Sequence, residues 1–243
     1  MALLRTEGLN LHAAGRCLLR DLDWQVQPGQ RWCLIGRNAA GKSTLLRALA
    51  GLSVPQRDGQ ISWQGRPQAD WSAADAACAR AYSPQQWADR FPLSVDRLLA
   101  LSQVRPGTTA ADRLLTALDA SHLAERSVVE LSGGERQRIA LAQAAIQGAP
   151  LLLLDEPVSF QDPAHQSLVA RWLCAWAPEH GSQAWVASAH DVNWIARTAS
   201  HVLALLGDGR WAAGTVAEIV QSSLLREVYG CDWREAGGVW VAL

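Results

Sequence analysis

The chain has 243 residues and a formal net charge of −1, and 49% of its residues are apolar against 19% charged. These values suit one ordinary soluble globular domain with enough chain to bury a core. The sequence contains no basic or acidic block, so bulk electrostatics gives no reason to expect nucleic acid as a partner.

The cysteines and the apolar runs further limit the class of protein that this chain can be. The five cysteines are scattered without CxxC spacing, which argues against a disulfide framework or a zinc site and fits a reducing compartment. The first residues lack the continuous apolar stretch of a secretion signal, and no apolar run approaches the roughly 18 residues of a spanning helix. We therefore expect any work at a membrane to depend on partner proteins.

The first third of the chain predicts strands on either side of one helix. Residues 9–26 have a strand pattern that ends at a Pro28-Gly29 turn, and residues 31–36 form a short apolar strand that ends in glycine. Apolar residues at helical spacing predict a helix over 42–52. Residues 57–67 have the pattern of a hairpin, so this part includes an antiparallel β region.

The rest of the chain alternates helices with buried strands. From about Phe91 to Val129 the pattern is helical and loop-like, with a break at Pro106-Gly107. The further predicted elements are a turn and helix over 131–146, an apolar strand within 151–156, a helix over 167–177, a strand over 184–190, and a strand and turn over 202–210. This order predicts an α/β fold with a mainly parallel sheet and a mostly helical insertion.

The segment GRNAAGKS at residues 36–43 contains Lys42, the only lysine among 22 basic residues. It satisfies GxxxxGK[ST], in which glycines let backbone N–H groups point at phosphate oxygens and the following helix adds its positive dipole end. An ammonium is a compact point charge, whereas a guanidinium is larger and binds as a fork. Ser43 offers a hydroxyl to Mg²⁺. The alternative, a plain glycine-rich turn, is disfavoured by the predicted strand and helix around it.

The apolar run LLLLDE ends in Asp155 and Glu156. Carboxylates at the carboxyl end of a buried strand lie where α/β sheets bind ligands. Asp155 is then placed to hold Mg²⁺ through water, and Glu156 to polarise an attacking water. The alternative is a strand that ends in a solvated turn, and the nearby phosphate loop makes that alternative weaker.

The stretch LSGGE at residues 131–135 stands at the start of a predicted helix. On its own it is a helix cap, with Ser132 as N-cap and Glu135 completing a capping box. Together with GRNAAGKST and LLLLDEP, in this order along the chain, it resembles the motif set of the ATP-binding-cassette (ABC) ATPases. The resemblance spans nearly the whole sequence.

The resemblance implies a fold and a division of the chain. The expected fold is a P-loop NTPase (RecA-like) core with a mainly parallel sheet, an N-terminal antiparallel β region and an inserted α-helical subdomain. The implied division is a single ABC ATPase domain over 1–243, with a core of 1–85 and 141–243 and a helical signature subdomain of about 86–140.

The resemblance also implies a role for each motif residue, with ATP and Mg²⁺ as cofactors. The phosphate loop would bind the nucleotide through Gly36, Arg37, Asn38, Ala39, Ala40, Gly41, Lys42, Ser43 and Thr44. The signature turn, which closes over ATP held by a second subunit, would comprise Leu131, Ser132, Gly133, Gly134 and Glu135. The implied catalytic residues are Glu156, His190 and Gln85, with Gln86 as the alternative to Gln85. The implied metal ligands are Ser43, Gln85 and Asp155, and the implied loop that links the two ATP sites contains Ser159 and Asp162.

Four positions depart from the family pattern. Arg37 replaces a proline, and Ala39 replaces a glycine whose absence restricts the backbone torsions of the loop. The aromatic residue that usually stacks on adenine is not evident, and only His12 could stand in for it. Gln161 occupies a position that is usually leucine. None of these changes removes a catalytic group, so we expect an active ATPase.

Further stretches resemble one branch of the family. FPLSVDRLLAL, DPAHQ and the ending LLREVYGCDW with VWVAL look like the ATPases of vitamin B12, haem and iron-siderophore importers. The stretch QADWSAADAACARAYSPQQ resembles the vitamin B12 member in particular. This implies a homodimer at the cytoplasmic face of the inner membrane, with integral membrane subunits, a periplasmic substrate-binding protein and no nucleic acid. The alternatives are a soluble ABC ATPase scaffold that is not coupled to transport and the ATPase subunit of an exporter.

Overall fold

The computed structural model describes residues 1–85, 92–104, 111–178 and 181–243. Its strands are β1 (Leu4–Ala13), β2 (Arg16–Val26), β3 (Arg31–Ile35), β4 (Gln56–Trp63), β5 (Arg66–Pro67), β6 (Arg80–Ser83), β7 (Leu151–Leu154), β8 (Ala184–Ser188), β9 (His201–Leu205), β10 (Trp211–Thr215), β11 (Trp233–Ala236) and β12 (Val239–Ala242). Its α-helices are α1 (Lys42–Leu49), α2 (Ala73–Ala79), α3 (Val95–Ser102), α4 (Ala111–Ala117), α5 (Gly133–Ile146), α6 (Pro163–Trp176), α7 (Val192–Thr198), α8 (Val216–Ile219) and α9 (Ser222–Tyr229).

Strands β2, β1, β4 and β5 form an antiparallel sheet in that order. The single strand expected over 9–26 is wrong, because the chain forms a hairpin of β1 and β2 with a turn at Ala14 and Gly15. These residues have φ of +50° and +73°, the pattern of a tight hairpin turn. An Ala-Gly pair is a weak turn signal, which explains the error. The hairpin expected at 57–67 is confirmed as β4 and β5.

Strands β10, β9, β3, β8, β7 and β6 form a second sheet in that order. Every pair is parallel except β10 with β9. All four residues of β7 are buried, as the apolar run predicted. Strands β3, β8, β7 and β6 are neighbours with one direction, so their carboxyl ends meet at the same edge of the sheet.

Helices start where the sequence supplies a cap. The capping box at α5 is present, and Asp162 caps α6 with Pro163 in the first turn, so α6 begins earlier than predicted. Helices α3 and α4 lie between β6 and α5 in the chain and contact α5, which confirms a helical insertion. The predicted break at Pro106-Gly107 lies outside the described residues.

The parallel sheet has a hydrophobic core on each face. Leu151 and Leu153 belong to a cluster with α1, α2 and the antiparallel sheet, and Leu152 and Leu154 to a cluster with helices α3 to α9. The five cysteines are all free thiols. Among the described residues no helix has the length and apolarity that a membrane span requires.

Candidate active site

The phosphate loop connects the end of β3 to the start of α1. Gly36 and Gly41 have φ of +155° and +104°, and Ala39 has φ of +62°. A Cβ on Gly36 would lie 2.8 Å from the Leu205 carbonyl oxygen, so only glycine fits there. Ala39 adopts a left-handed conformation that glycine would adopt at lower cost. The loop therefore keeps its curved backbone conformation although residue 39 is alanine.

Lys42 is buried at the centre of this loop, with 7% of its surface exposed. Its Nζ donates hydrogen bonds to the carbonyl oxygens of Gly36 at 2.8 Å and Arg37 at 3.2 Å. Burial lowers the pKa of the Lys42 ammonium, while the negative charges of Glu156 and Asp155 act in the opposite direction. A phosphate bound at this loop would also favour the charged ammonium.

Glu156 follows β7 and holds three polar side chains. Its Oε2 accepts hydrogen bonds from Gln85 Nε2 at 2.9 Å and Ser159 Oγ at 2.7 Å. Its Oε1 lies 3.0 Å from His190 Nε2. Glu156 itself has φ of +50°, a strained conformation of the kind that clusters at functional sites. The structure thus brings together the three residues that sequence analysis singled out as catalytic.

Asp155 lies deeper than Glu156, with 3% of its surface exposed. Its Oδ1 accepts a hydrogen bond of 2.7 Å from Ser188 Oγ, and that same hydroxyl accepts one of 2.8 Å from the Glu156 backbone N–H. No cluster of three or more His, Cys, Asp or Glu side chains suited to a metal occurs among the described residues. That is compatible with Mg²⁺, which in phosphate sites takes one or two protein oxygens, substrate phosphates and waters. The donors Ser43 and Asp155 therefore fit this ion.

The phosphate loop and the Glu156 cluster face one cleft of about 500 Å³. The predicted residues that line it are Asn38, Ala39, Gly41, Lys42, Ser43, Thr44, Gln85, Glu156 and His190. Gly36, Arg37, Ala40 and Asp155 are not among its lining residues. An anion-binding loop and a hydrogen-bonded carboxylate across one cleft can hold a polyphosphate and orient a water beside it.

The β1–β2 hairpin also lines the cleft. Its lining residues are Ala13, Ala14, Arg16 and Leu18. His12 is not among them, so the structure does not bring this suggested substitute for the adenine-stacking aromatic into the cleft. No Phe, Tyr or Trp occurs among the described residues that line it. Gln86, the alternative to Gln85, lies outside the described residues.

The predicted signature turn faces a different cleft, of about 470 Å³. Ser132, Gly133, Gly134 and Glu135 line it together with Asp162, whereas Leu131 is buried. Ser132 Oγ accepts from the Glu135 N–H at 3.3 Å, and Glu135 Oε2 accepts from the Ser132 N–H at 2.8 Å. The helix-cap interpretation of this motif is therefore correct for these atoms. Within one chain the turn does not line the cleft that holds Lys42.

Sequence analysis missed three polar residues around the site. Ser188 bonds both Asp155 and the Glu156 backbone, Gln137 Nε2 donates to the Glu156 carbonyl at 3.2 Å, and Arg16 lines the cleft. Ser188 stands at the end of a predicted strand, which was an available signal. Nothing in the sequence marked Gln137 or Arg16 as a site residue, because the residues near them in space are far away in the chain.

Comparisons with known proteins point to one family. The sequence profile of the family described as "ABC transporter" matches residues 19–159. The hemin import ATP-binding protein HmuV of Streptomyces coelicolor is 41% identical over 91% of this chain and 81% of its own length. The protein of the same name from a Ruegeria species is 37% identical over 95% of this chain and 92% of its own length. A solved chain of a transporter described as metal-chelate type, in an inward-facing conformation, superposes with a TM-score of 0.81 at 25% identity, over 100% of this chain and 98% of its own.

The fold and the cleft define a P-loop ATPase. The chain belongs to the ABC transporter family. It is an ATPase that uses ATP with Mg²⁺ and couples hydrolysis to transport, as the sequence motifs predicted. Membership in this family implies dimerisation and membrane permease partners.

Proposed function

We propose that the chain powers the import of haem, as the ATP-hydrolysing subunit of an ABC importer. The observation that carries the catalytic part is the arrangement of Lys42 and Glu156 across one cleft, each held by hydrogen bonds. The names of the relatives at 41% and 37% identity support haem as the cargo. An iron-siderophore or vitamin B12 is the other cargo class that the sequence resemblance suggested.

In this proposal the residues that the motifs predicted share the work of binding and hydrolysing ATP. The backbone N–H groups from Gly36 to Thr44 and the Lys42 ammonium bind the phosphates and stabilise the charge that develops during transfer. Glu156 orients the attacking water and accepts its proton, and His190 contacts the γ-phosphate. Ser43, Asp155 and Gln85 would hold Mg²⁺, which when bound neutralises phosphate charge. Ser188 and Ser159 fix the positions of the two carboxylates.

The signature turn acts on a second subunit. Its separation from the Lys42 cleft within one chain supports contact with ATP in trans, between two head-to-tail copies of this chain. The turn Ser132–Glu135 would then close over the nucleotide of the partner subunit. Ser159 and Asp162 would report the state of one site to the other, because Ser159 bonds Glu156 and Asp162 lines the signature cleft.

We further propose the place of this homodimer in the cell. It lies on the cytoplasmic face of the inner membrane and presses on two integral membrane subunits, and a periplasmic binding protein delivers the cargo. The proposed surface for the membrane subunits is the helical subdomain of about 86–140 together with Gln85. The remainder, 1–85 and 141–243, forms the nucleotide-binding core. The contacts of α3 and α4 with α5, which itself extends to Ile146, support a packed helical unit in the range of about 86–140.

The variant Glu156→Gln tests the catalytic proposal. It keeps the size of the side chain and one acceptor oxygen but is a far weaker base, so we expect turnover to fall by at least about 100-fold. MgATP should then hold the variant as a dimer, measurable by light scattering. Glu125→Gln, an exposed change outside the clefts, is the matched control. Ordinary hydrolysis by Glu156→Gln would overturn the assignment.

Cargo is tested separately, with the complete transporter in vesicles. Haem delivered by its binding protein should stimulate ATP hydrolysis and accumulate inside, whereas an iron-siderophore or vitamin B12 should do neither. Stimulation by one of the latter alone would reassign the cargo and leave the ATPase chemistry intact.

A further inference from the structure

Gln161 lies buried between the signature turn and the loop after Glu156, with 8% of its surface exposed. Its Nε2 donates a hydrogen bond of 3.1 Å to the Gly134 carbonyl oxygen, and its Oε1 accepts one of 3.4 Å from Arg138 Nη1. Both ends of the amide are thus bound by the first turns of α5. A leucine would fill the same space but could make neither bond.

The backbone beside Gln161 also lies directly on the signature turn. A Cβ on Gly134 would lie 3.0 Å from the Phe160 carbonyl oxygen, and one on Gly133 would lie 3.5 Å from Phe160 Cβ. Phe160 has φ of +63° although it is not glycine, a conformation that its surroundings must hold. The close approach therefore favours glycine at position 134, whereas a Cβ at position 133 would make an ordinary van der Waals contact.

The same loop is tied to the catalytic carboxylate at its other end. Ser159 Oγ donates to Glu156 Oε2 at 2.7 Å. Gln137 Nε2, one turn along α5 from Gly134, donates to the Glu156 carbonyl at 3.2 Å. The loop 156–161 and the start of α5 are therefore closed into one unit by hydrogen bonds at both ends.

We infer that Gln161 is a positioning residue that couples the signature turn of a subunit to Glu156 of the same subunit. The inference rests on the proposed function, in which that turn contacts ATP of the partner subunit. ATP engaged by the turn then biases the geometry of Glu156 through the Gly134–Gln161 bond and the loop back to Ser159. Two such units in a dimer make binding at one site and hydrolysis at the other cooperative.

Two substitutions of Gln161 distinguish a loss of coupling between the signature turn and Glu156 from a loss of folding stability. Gln161→Leu removes both hydrogen bonds and keeps the packing. Gln161→Glu keeps an acceptor for Arg138, now as an ion pair, but sets a carboxylate against the Gly134 carbonyl. Gln161→Glu should therefore remain folded and yet be defective. The control is Gln143→Leu, which removes one glutamine hydrogen bond, of 2.9 Å to Ser102 Oγ, from the far part of α5.

The measurements use the full chain. In chains that also carry Glu156→Gln, light scattering gives the ATP concentration at which half of the protein is dimeric. We expect both Gln161 variants to raise it about fivefold, the factor for one net hydrogen bond, and Gln143→Leu to leave it unchanged. In chains with Glu156 intact, the Hill coefficient for ATP hydrolysis should fall toward unity for both Gln161 variants. The midpoint temperature of unfolding of Gln161→Glu should equal that of the unsubstituted chain.

Each remaining outcome counts against the inference. Dimerisation and a Hill coefficient equal to those of the unsubstituted chain would overturn the role of Gln161 and leave the proposed function intact. An equal defect in Gln143→Leu would show a general effect on α5 and would also overturn it. If the Glu156→Gln chain with Gln161 present forms no dimer with ATP, the proposed function itself fails, and the inference with it.

Discussion

Lys42 shows why a sequence with one lysine keeps it at this position. Its Nζ fits between two loop carbonyls, 2.8 and 3.2 Å away, in a site that is almost closed to solvent. An ammonium can meet such a cradle from any direction, whereas a planar guanidinium needs a wider, flatter space. Charge alone would be supplied equally well by arginine, so the shape of the cradle is what requires lysine.

We predict that Lys42→Arg binds and hydrolyses ATP poorly although it conserves charge. Because the guanidinium must displace the loop, kcat/KM should fall by about 100-fold, the scale of a misplaced reacting group. Nucleotide titration and steady-state hydrolysis measure the effect. The reverse change at an exposed position on the same helix, Arg47→Lys, should leave both unchanged. ATP affinity equal to that of the unsubstituted chain in Lys42→Arg would contradict this explanation.

Ala39 carries strain that is already present before any nucleotide binds. Its φ of +62° is unfavourable for a residue with a Cβ, and glycine would remove that cost but add freedom to the unfolded chain. We predict that Ala39→Gly raises the free energy of unfolding by about 0.5–1 kcal/mol and leaves ATP affinity unchanged. Chemical denaturation and nucleotide titration test the two parts.

The neighbouring alanine is the matched control for that prediction. Ala40 is buried, with 3% of its surface exposed, and has no positive φ. Ala40→Gly should therefore destabilise the protein. If Ala39→Gly were destabilising to the same degree, strain at Ala39 would not be the explanation for its effect.

At the scale of one element, α5 depends on its capping box for a defined start. The reciprocal bonds of Ser132 and Glu135 satisfy two backbone N–H groups at its first turn. The hydrogen bond from the Ser132 N–H, followed by that from its side chain, holds the pKa of Glu135 below its ordinary value. The Glu135 carboxylate is thus stabilised in the folded protein.

The lowered pKa of Glu135 makes the free energy of unfolding depend on pH. Because the folded pKa of Glu135 lies below its unfolded value near 4.5, its contribution to stability is present above that pH and is lost as pH falls through the folded pKa. We predict that Glu135→Gln, which does not titrate, has a smaller loss of unfolding free energy than the unsubstituted chain between about pH 5 and pH 3. Glu130→Gln, on the preceding turn, is the control, and identical acid profiles for Glu135→Gln and the unsubstituted chain would refute the prediction.

The C-terminal hairpin is an element whose placement the sequence left open. Asn193 on α7 bonds both backbone groups of Trp240, with distances of 3.0 Å to the carbonyl oxygen and 2.7 Å from the N–H. Asp191, next to His190, caps the same helix. The hairpin β11–β12 is therefore attached to the helix that follows His190, and it extends the fold around the second hydrophobic cluster.

At the scale of the whole molecule, a chain with no membrane span among its described residues is assigned to transport. We predict that the tagged protein, captured from native membranes in mild detergent, brings a polytopic membrane protein in stoichiometric amount, identified by mass spectrometry. The protein captured from the soluble fraction of the same cells is the control. Soluble partners alone would remove the importer assignment and leave the ATPase chemistry standing.

The local motifs were predictable from the sequence because each depends on residues close together in the chain. The curl of residues 36–43, the buried run before Asp155 and the cap at Ser132 follow from glycine torsions, apolar patterning and side-chain hydrogen bonds over a few residues. The family resemblance then assigned roles to Gln85, Glu156 and His190. The hairpin turn at Ala14 was missed because its residues carry no strong local preference.

Only the tertiary structure decided how these motifs meet. Four parallel strands end at the site: β3 at the phosphate loop, β6 at Gln85, β7 at Asp155 and β8 at His190. They occur in that order in the chain, but their order in the sheet is β3, β8, β7, β6. Strand order is set by packing on both faces of the sheet, which no local pattern encodes. For the same reason, the bonds of Ser188, Gln137 and Gln161 join residues far apart in the chain. The sequence by itself determined the chemistry of each part, and the packed sheet determined that Lys42 and Glu156 face one cleft while the signature turn faces another.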